Sequence, residues 1–320
     1  MKQHILAMAA IATMANAAQA QSNITIYGQM DVGLTKSSGS TLGIDRGAPN
    51  WLGFRGTEDL GNGLQASFRL ETRFEPDTGT TESAGRRPLF QGRSWVGVSG
   101  ALGTVRLGRD YTAMQDLIVD FDPWSFFTVA TLLDGALGSY SSDPSYAGSS
   151  GNRFSNGVYY SSPLMHGFQA YVTVASKEGL VGGPQLKKNP VSYAASYING
   201  PVYLMVGAER SVNQDKFWNV SGSYRLGQAN LMASYSKVDP LIGVNSTNKL
   251  IGADIAVGPG QVKLGYGRVT VANAGASQQL SAGYWYSLSK RTLLYTDATH
   301  RKPAAGATSN GFDLGIRHSF

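Results

Sequence analysis

Apolar and polar residues alternate one for one along most of this 320-residue chain, in stretches bounded by turn-forming residues. A period of two puts successive side chains on opposite faces of an extended strand, so each stretch reads as a strand with one greasy and one polar face. At the end of the chain, Phe312, Leu314, Ile316, His318 and Phe320 share one face, and Asp313, Gly315, Arg317 and Ser319 the other. Between 64 and 74, Leu64, Ala66, Phe68, Leu70, Thr72 and Phe74 oppose Gln65, Ser67, Arg69, Glu71 and Arg73. The pattern predicts sixteen strands, at 24–35, 51–58, 64–75, 93–99, 103–109, 153–161, 168–176, 191–198, 201–209, 217–225, 229–237, 249–257, 261–269, 278–287, 291–300 and 311–320.

The connections alternate too. Short links at 59–63, 100–102, 162–167, 199–200, 226–228, 258–260 and 288–290 fall between longer ones such as 36–50, 76–92, 177–190 and 238–248. Short turns on one rim and long loops on the other belong to a transmembrane β-barrel, whereas a soluble sandwich follows no such rule. Alternation by itself does not say which face meets lipid. The strand length suits a tilted crossing of the hydrocarbon core, and Tyr159, Tyr160, Trp218, Tyr224, Tyr235, Tyr284 and Tyr286 stand near strand ends, where aromatic girdles form. Hydrocarbon offers the backbone no hydrogen-bond partner, so the sheet must close on itself. The expected fold is all-β: a sixteen-stranded antiparallel transmembrane barrel over residues 21–320.

Residues 1–20 read as a cleaved signal peptide, with Lys2, an apolar run from Ile5 to Ala15 and the small-residue site Ala18-Gln19-Ala20. The formal charge is +6, and +5 once Lys2 is removed. No dense run of Lys and Arg occurs, which argues for anionic solutes as partners and against nucleic acid. With no cysteine, thiolate chemistry and disulfide staples are excluded. Residues 110–152 break the alternation, with a helix-compatible stretch at 120–133 and a Ser/Gly/Tyr-rich tail. A long aromatic-bearing irregular segment in a compact domain is functional more often than idle. Its physical reading is a constriction loop folded into the lumen.

Several motifs together resemble a known family. Ile24-Thr25-Ile26-Tyr27-Gly28 opens the first strand, and Gly53-Phe54-Arg55-Gly56-Thr57-Glu58-Asp59-Leu60-Gly61-Asn62-Gly63-Leu64 follows. Trp95-Val96-Gly97-Val98, Gly103-Thr104-Val105-Arg106-Leu107-Gly108-Arg109, Asn156-Gly157-Val158-Tyr159-Tyr160-Ser161-Ser162-Pro163 and Gly315-Ile316-Arg317-His318-Ser319-Phe320 complete the set. The chain resembles the trimeric general porins of Gram-negative bacteria, in the β-proteobacterial branch that includes anion-selective members. The resemblance implies an outer-membrane homotrimer in contact with lipid and lipopolysaccharide. It also implies a third loop inside the barrel, basic residues facing acidic ones at a constriction, and a terminal Phe320 read by the assembly machinery.

By position in that family and by inward parity, Arg55, Arg93 and Arg153 are the expected basic cluster of the constriction. Asp116, Asp120 and Asp122 of the loop, with Glu71 and Glu75 of the third strand, are the expected acidic side. The aspartates could equally cap or solvate a short helix, and the arginines could simply stiffen the wall. Arg69, Arg73, Arg106, Lys263 and Asp254 share the inward parity. A few kcal/mol of local potential sorts anions from cations about tenfold or more.

Other signals lack their context. Gly61-Asn62-Gly63-Leu64-Gln65-Ala66 fits a dinucleotide fingerprint but opens a strand instead of a helix. Ser287-Leu288-Ser289-Lys290 spans a turn without companion motifs, and His166, His300 and His318 are far apart. No catalytic constellation, cofactor site or metal site is expected. The competing reading is a substrate-facilitating channel in which Trp51, Trp95 and Trp124 form a stacking path.

Overall fold

The computed structural model describes residues 23–82, 84–125, 127–132, 153–177, 188–212 and 214–320. The expected signal peptide and residues 133–152 of the expected loop lie outside these. The strands are β1 (Asn23–Ser37), β2 (Gly43–Asp45), β3 (Asn50–Gly61), β4 (Leu64–Phe74), β5 (Arg93–Gly100), β6 (Gly103–Tyr111), β7 (Arg153–Ser161), β8 (Phe168–Ala175), β9 (Val191–Asn199), β10 (Val202–Arg210), β11 (Lys216–Leu226), β12 (Ala229–Asp239), β13 (Ser246–Val257), β14 (Gly260–Val271), β15 (Gly275–Ser287), β16 (Thr292–Lys302) and β17 (Ser309–Ser319). From β3 to β17 each strand pairs antiparallel with the next in sequence.

The ring closes at β1. One edge of β1 pairs with β17 from Gln29↔Ser319 to Ser37↔Gly311, and the other pairs with β3 from Asn23↔Thr57 to Gln29↔Trp51. Farther along that second edge, Gly33–Thr35 meets β2. Strands β2 and β3 therefore share one side of β1 and act as one interrupted stave, giving a closed sixteen-stranded antiparallel barrel. Beyond β17, Phe320 N–H donates to the Gly28 carbonyl and Gly28 N–H to the Phe320 carbonyl, both at 3.1 Å. Among the described residues no helix is long and apolar enough to cross a membrane; the strands do the crossing.

All sixteen expected strands are present, with ends shifted by a few residues. The three-residue β2 is too short to carry a visible alternation. Asp110 and Tyr111 continue β6, so the irregular segment begins at Thr112 and not at Asp110. A bulge between Gly108 and Asp110, with Gly108 at φ +133°, breaks the period and hides the continuation. The helix also lies earlier than expected, as α1 (Gln115–Ile118) followed by a 3-10 turn at Val119–Phe121. Pro123 stands just beyond that turn and lacks the N–H to extend it.

The faces are inverted relative to a soluble sheet. On β17, Phe312, Leu314 and Ile316 are exposed, whereas Asp313 and Arg317 are buried on the inside. Tyr160, Trp218, Tyr224 and Tyr286 are exposed on the outer face, as a girdle requires. Tyr159 departs from that expectation: it turns inward, is 1% exposed, and accepts from Asp110 N–H at 2.9 Å. Because Leu314 faces lipid in the middle of β17, Leu314→Arg should destabilise the barrel by about 2–4 kcal/mol if it lies at the bilayer midplane. Urea titration in lipid vesicles checks this, with Leu226→Arg, next to a short turn, as the mild comparison.

Candidate functional site

Inside the barrel the wall is not polar throughout. Met205, Phe217, Val238 and Leu250 point inward from β10 to β13 and are almost fully buried. They are covered by the segment after β6, whose Met114, Leu117, Ile118, Phe121 and Trp124 join them in one apolar cluster. Each such buried side chain is worth roughly 1.5–3 kcal/mol, so the segment is seated on the inner face. Glycines make the room: a Cβ at Gly252 would fall 2.5 Å from Pro123 Cγ, and one at Gly265 2.4 Å from Leu132 Cδ1.

Inward polar side chains fasten the same segment to the wall. Ala113 N–H donates to Thr173 Oγ1 and Met114 N–H to Ser192 Oγ, each at 3.1 Å. Trp124 Nε1 donates to Asp297 at 2.7 Å, and Val129 N–H to Asp313 at 3.0 Å. Lys263 Nζ donates to the Pro123 carbonyl at 2.6 Å, and Gln279 Nε2 to the Thr131 carbonyl at 2.8 Å. Contacts on β8, β9 and β14 to β17 therefore hold residues 112–132 across a wide arc.

The opposite arc, β3 to β7, is built from guanidinium groups. The Tyr111 ring lies between two of them, with Arg153 Cζ 3.9 Å and Arg93 Cζ 4.5 Å from its centroid. Its hydroxyl accepts from Arg73. A desolvated cation on an aromatic face is worth about 2 kcal/mol, so one phenol organises three like charges that would otherwise repel. Arg93 pairs with Asp110 at 2.9 Å and Asp116 at 3.8 Å; Arg106 pairs with the same two carboxylates at 2.7 and 3.5 Å. One row towards the short turns, Arg69 pairs with Glu71 at 3.2 Å, and Tyr27 OH donates to Glu71 at 3.1 Å.

A closed sixteen-stranded barrel with an arginine-rich inner arc and an internally seated segment is the setting for the comparisons with known proteins. The family described as Gram-negative porin matches residues 7–303. The chain belongs to that family. It is an outer-membrane channel protein, and its strands cross the membrane. This porin is 29% identical to "Outer membrane porin protein 32" of Delftia acidovorans, with both chains covered in full. It is 25% identical to an outer-membrane porin protein of Bordetella pertussis, again with both chains covered in full. Its fold matches the solved "Anion-selective porin from Comamonas acidovorans" with a TM-score of 0.82 at 27% identity, covering 94% of this chain and 100% of that one. The trimer form of OmpT from Vibrio cholerae matches with a TM-score of 0.71 at 14% identity, covering 93% and 99%, a likeness of fold alone.

Within this porin the expected basic cluster is divided. Arg93 and Arg153 meet over Tyr111, but Arg153 is 1% exposed and lies within the wall, donating Nε–H to the Gly92 carbonyl at 2.6 Å. Arg55 is elsewhere, paired in register with Arg69 and set 5.1 Å from the Tyr27 ring. The expected acidic residues are spread over several places. Glu71 and Asp116 are in ion pairs on the arginine wall, and Glu75 pairs with Arg46 at 3.3 Å. Asp122 is turned into its own segment, accepting from Trp124 N–H, Thr131 Oγ1 and Leu132 N–H. Asp120 accepts from Tyr203 OH at 3.2 Å. Arg106 and Tyr111 were the residues that parity alone undervalued: Arg106 reads as an ordinary wall residue, and Tyr111 follows the bulge.

Asp116 sits in the segment, outside the spanning strands. Burial and the Asp110 carboxylate push its carboxyl up to about 6, against the pull of Arg93 and Arg106. An acid with a raised pKa binds its proton more tightly in the folded protein, so folding stability falls as pH rises from about 4 to about 6. The same titration changes the wall: protonation below about 6 removes a negative charge from Arg93 and Arg106. Anion preference should therefore rise as pH falls from 7 to 5. Zero-current potentials across that range check this, and Asp116→Asn should flatten the dependence at the acidic value.

Proposed function

We propose that this porin passes small hydrophilic solutes by passive diffusion and prefers anions to cations. The observation that carries the reading is the charge imbalance on one inner arc. Arg55, Arg69, Arg73, Arg93, Arg106 and Arg153 stand there against Glu71 and Asp110 of the strands and Asp116 of the segment. Arginine stays protonated at any working pH and presents planar donors to carboxylate or phosphate. The segment at 112–132, seated on the inner face, narrows the passage and brings solutes under that wall. The relative described as an anion-selective porin supports the same preference. A path of stacked tryptophans is not favoured: Trp124 is fully buried between its segment and the wall, and Arg106 covers Trp95 at 5.5 Å.

The functional unit is a homotrimer in this reading. The outer face of β1 to β5 presents Ile24, Ile26, Met30, Leu34, Val96 and Val98 and suits contact with further copies. The outer face of β11 to β14 instead carries Lys216, Lys237, Lys249 and Arg268 near the long-loop rim, with Lys249 and Arg268 in register. Cations at that height suit anionic headgroups, lipopolysaccharide among them. Export by a cleaved signal peptide and recognition of Phe320 by the assembly machinery complete the route; Phe320 is 44% exposed at the seam.

The test is the zero-current potential of the purified porin in a planar bilayer under a KCl gradient, compared with Arg93→Ser. Wild type should read anion-selective, and the potential should shrink in the variant. Conducting channels with a cation-selective potential would sink the charge reading, and correctly folded protein without conductance would sink the transport reading.

A further inference from the structure

On the outer face of β9 to β12, near the long-loop rim, the barrel surface is neither flat nor plainly apolar. Strand register puts Tyr193, Ala208, Trp218 and Lys237 in one outward row. The row towards the short turns is Ala195, Val206, Val220 and Tyr235, and the row towards the loops is Arg210, Lys216 and Asp239. Ala208 offers only a methyl group between two exposed rings, Tyr193 and Trp218, so a recess of about 320 Å³ opens there. Tyr235 steadies Trp218, with ring centroids 5.2 Å apart.

Arg210, Lys216 and Lys237 crown this recess. The Asn189 carbonyl fixes Arg210, accepting from Nε at 3.2 Å and from Nη2 at 2.8 Å. Among the described residues none of the three cations enters an ion pair. Asp239 stands opposite Lys216, while Asp215 is turned to its loop, accepting from Leu241 N–H at 2.8 Å. The outward side chains of the recess thus bring three positive charges against one negative. Lys237 lies one row, about 7 Å, above Val206 and Val220, the level where acyl chains give way to headgroups. Short turns face the periplasm, so this rim meets the outer leaflet. A second cationic point, Lys249 in register with Arg268, follows on β13 and β14. From Lys216 to Arg268 is three strand spacings, about 14 Å around the ring. An apolar slot under two separated cationic points fits an amphiphile whose headgroup carries two phosphates set apart.

We propose that the recess at Ala208 binds one molecule of the outer-leaflet glycolipid through its bisphosphorylated lipid A part. An acyl chain lies between Tyr193 and Trp218, one phosphate meets Arg210, Lys216 and Lys237, and the other meets Lys249 and Arg268. The proposal deepens the headgroup reading of this face and rests on it. Cations at that height attract any anionic lipid, whereas a recess with two cationic points selects one. Because the protein supplies the positive charge, the lipid is held without divalent cations.

The experiment titrates the purified porin in detergent and EDTA with bisphosphorylated lipid A, fully dephosphorylated lipid A or phosphatidylglycerol, and reads bound lipid by native mass spectrometry. Wild type should bind one bisphosphorylated lipid A per chain, and the other two lipids at least about tenfold more weakly. Lys216→Gln/Lys237→Gln should raise the half-saturating concentration about tenfold or more, through loss of charge-assisted bonds. Ala208→Phe fills the slot while keeping every charge, and it too should weaken binding. Lys36→Gln, on the outer face of β1, should bind as wild type does. A double variant that binds like wild type overturns the site, and so does equal binding of the dephosphorylated lipid. Equal binding of phosphatidylglycerol keeps the headgroup reading and overturns the site; a wild type that binds none of the three overturns both.

Discussion

Every backbone N–H and C=O that enters hydrocarbon must find a partner inside the protein, and the rest of this structure follows from meeting that demand. A flat sheet leaves two open edges; joining β1 to β17 removes both. Closure then divides each strand into a face for lipid and a face for the lumen. The lipid face must be apolar, and so the charged chemistry of the chain is gathered on the inside. Arginines that would be costly anywhere else in the membrane are concentrated on a short arc of wall.

Concentrating like charges creates its own problem, which the wall solves in three ways. Tyr111 separates Arg93, Arg153 and Arg73 with an aromatic ring and a hydroxyl. Asp110 and Asp116 are shared between Arg93 and Arg106. Tyr27 and Glu71 hold Arg69. These three acids therefore act on the arginines from within the same wall. Asp116 links the two arcs, since it belongs to the segment whose underside rests on β10 to β13.

The barrel was legible because a period of two survives wherever both faces have fixed solvents. It failed where that condition lapsed. At Gly108 the bulge moves one residue out of phase, and Asp110 and Tyr111 disappear from the strand pattern. On β10 to β13, inward Met205, Phe217, Val238 and Leu250 make the lumen face apolar, which reads as noise in a channel until the covering segment is seen. Those residues were the available signal for where the segment docks. Parity placed Arg55, Arg93 and Arg153 on the inside, but it does not encode height along the barrel or depth in the wall. Hence Arg55 joins Arg69, Arg153 lies behind Tyr111, and Asp122 turns to its own backbone. Those separations depend on register and side-chain packing between strands that are distant in sequence.

The seam between β1 and β17 also governs how such a molecule can be made. Its partners, Gln29 with Ser319 and Gly28 with Phe320, come from opposite ends of the polypeptide. No hairpin intermediate has a complete set of paired edges, so a growing chain on its own cannot settle into lipid stave by stave. Unless another protein pairs the open edges, they stay unsatisfied until β17 arrives. The ring thus ties the last open edge of the sheet to a contact that spans nearly the whole chain, the kind that is slow to form.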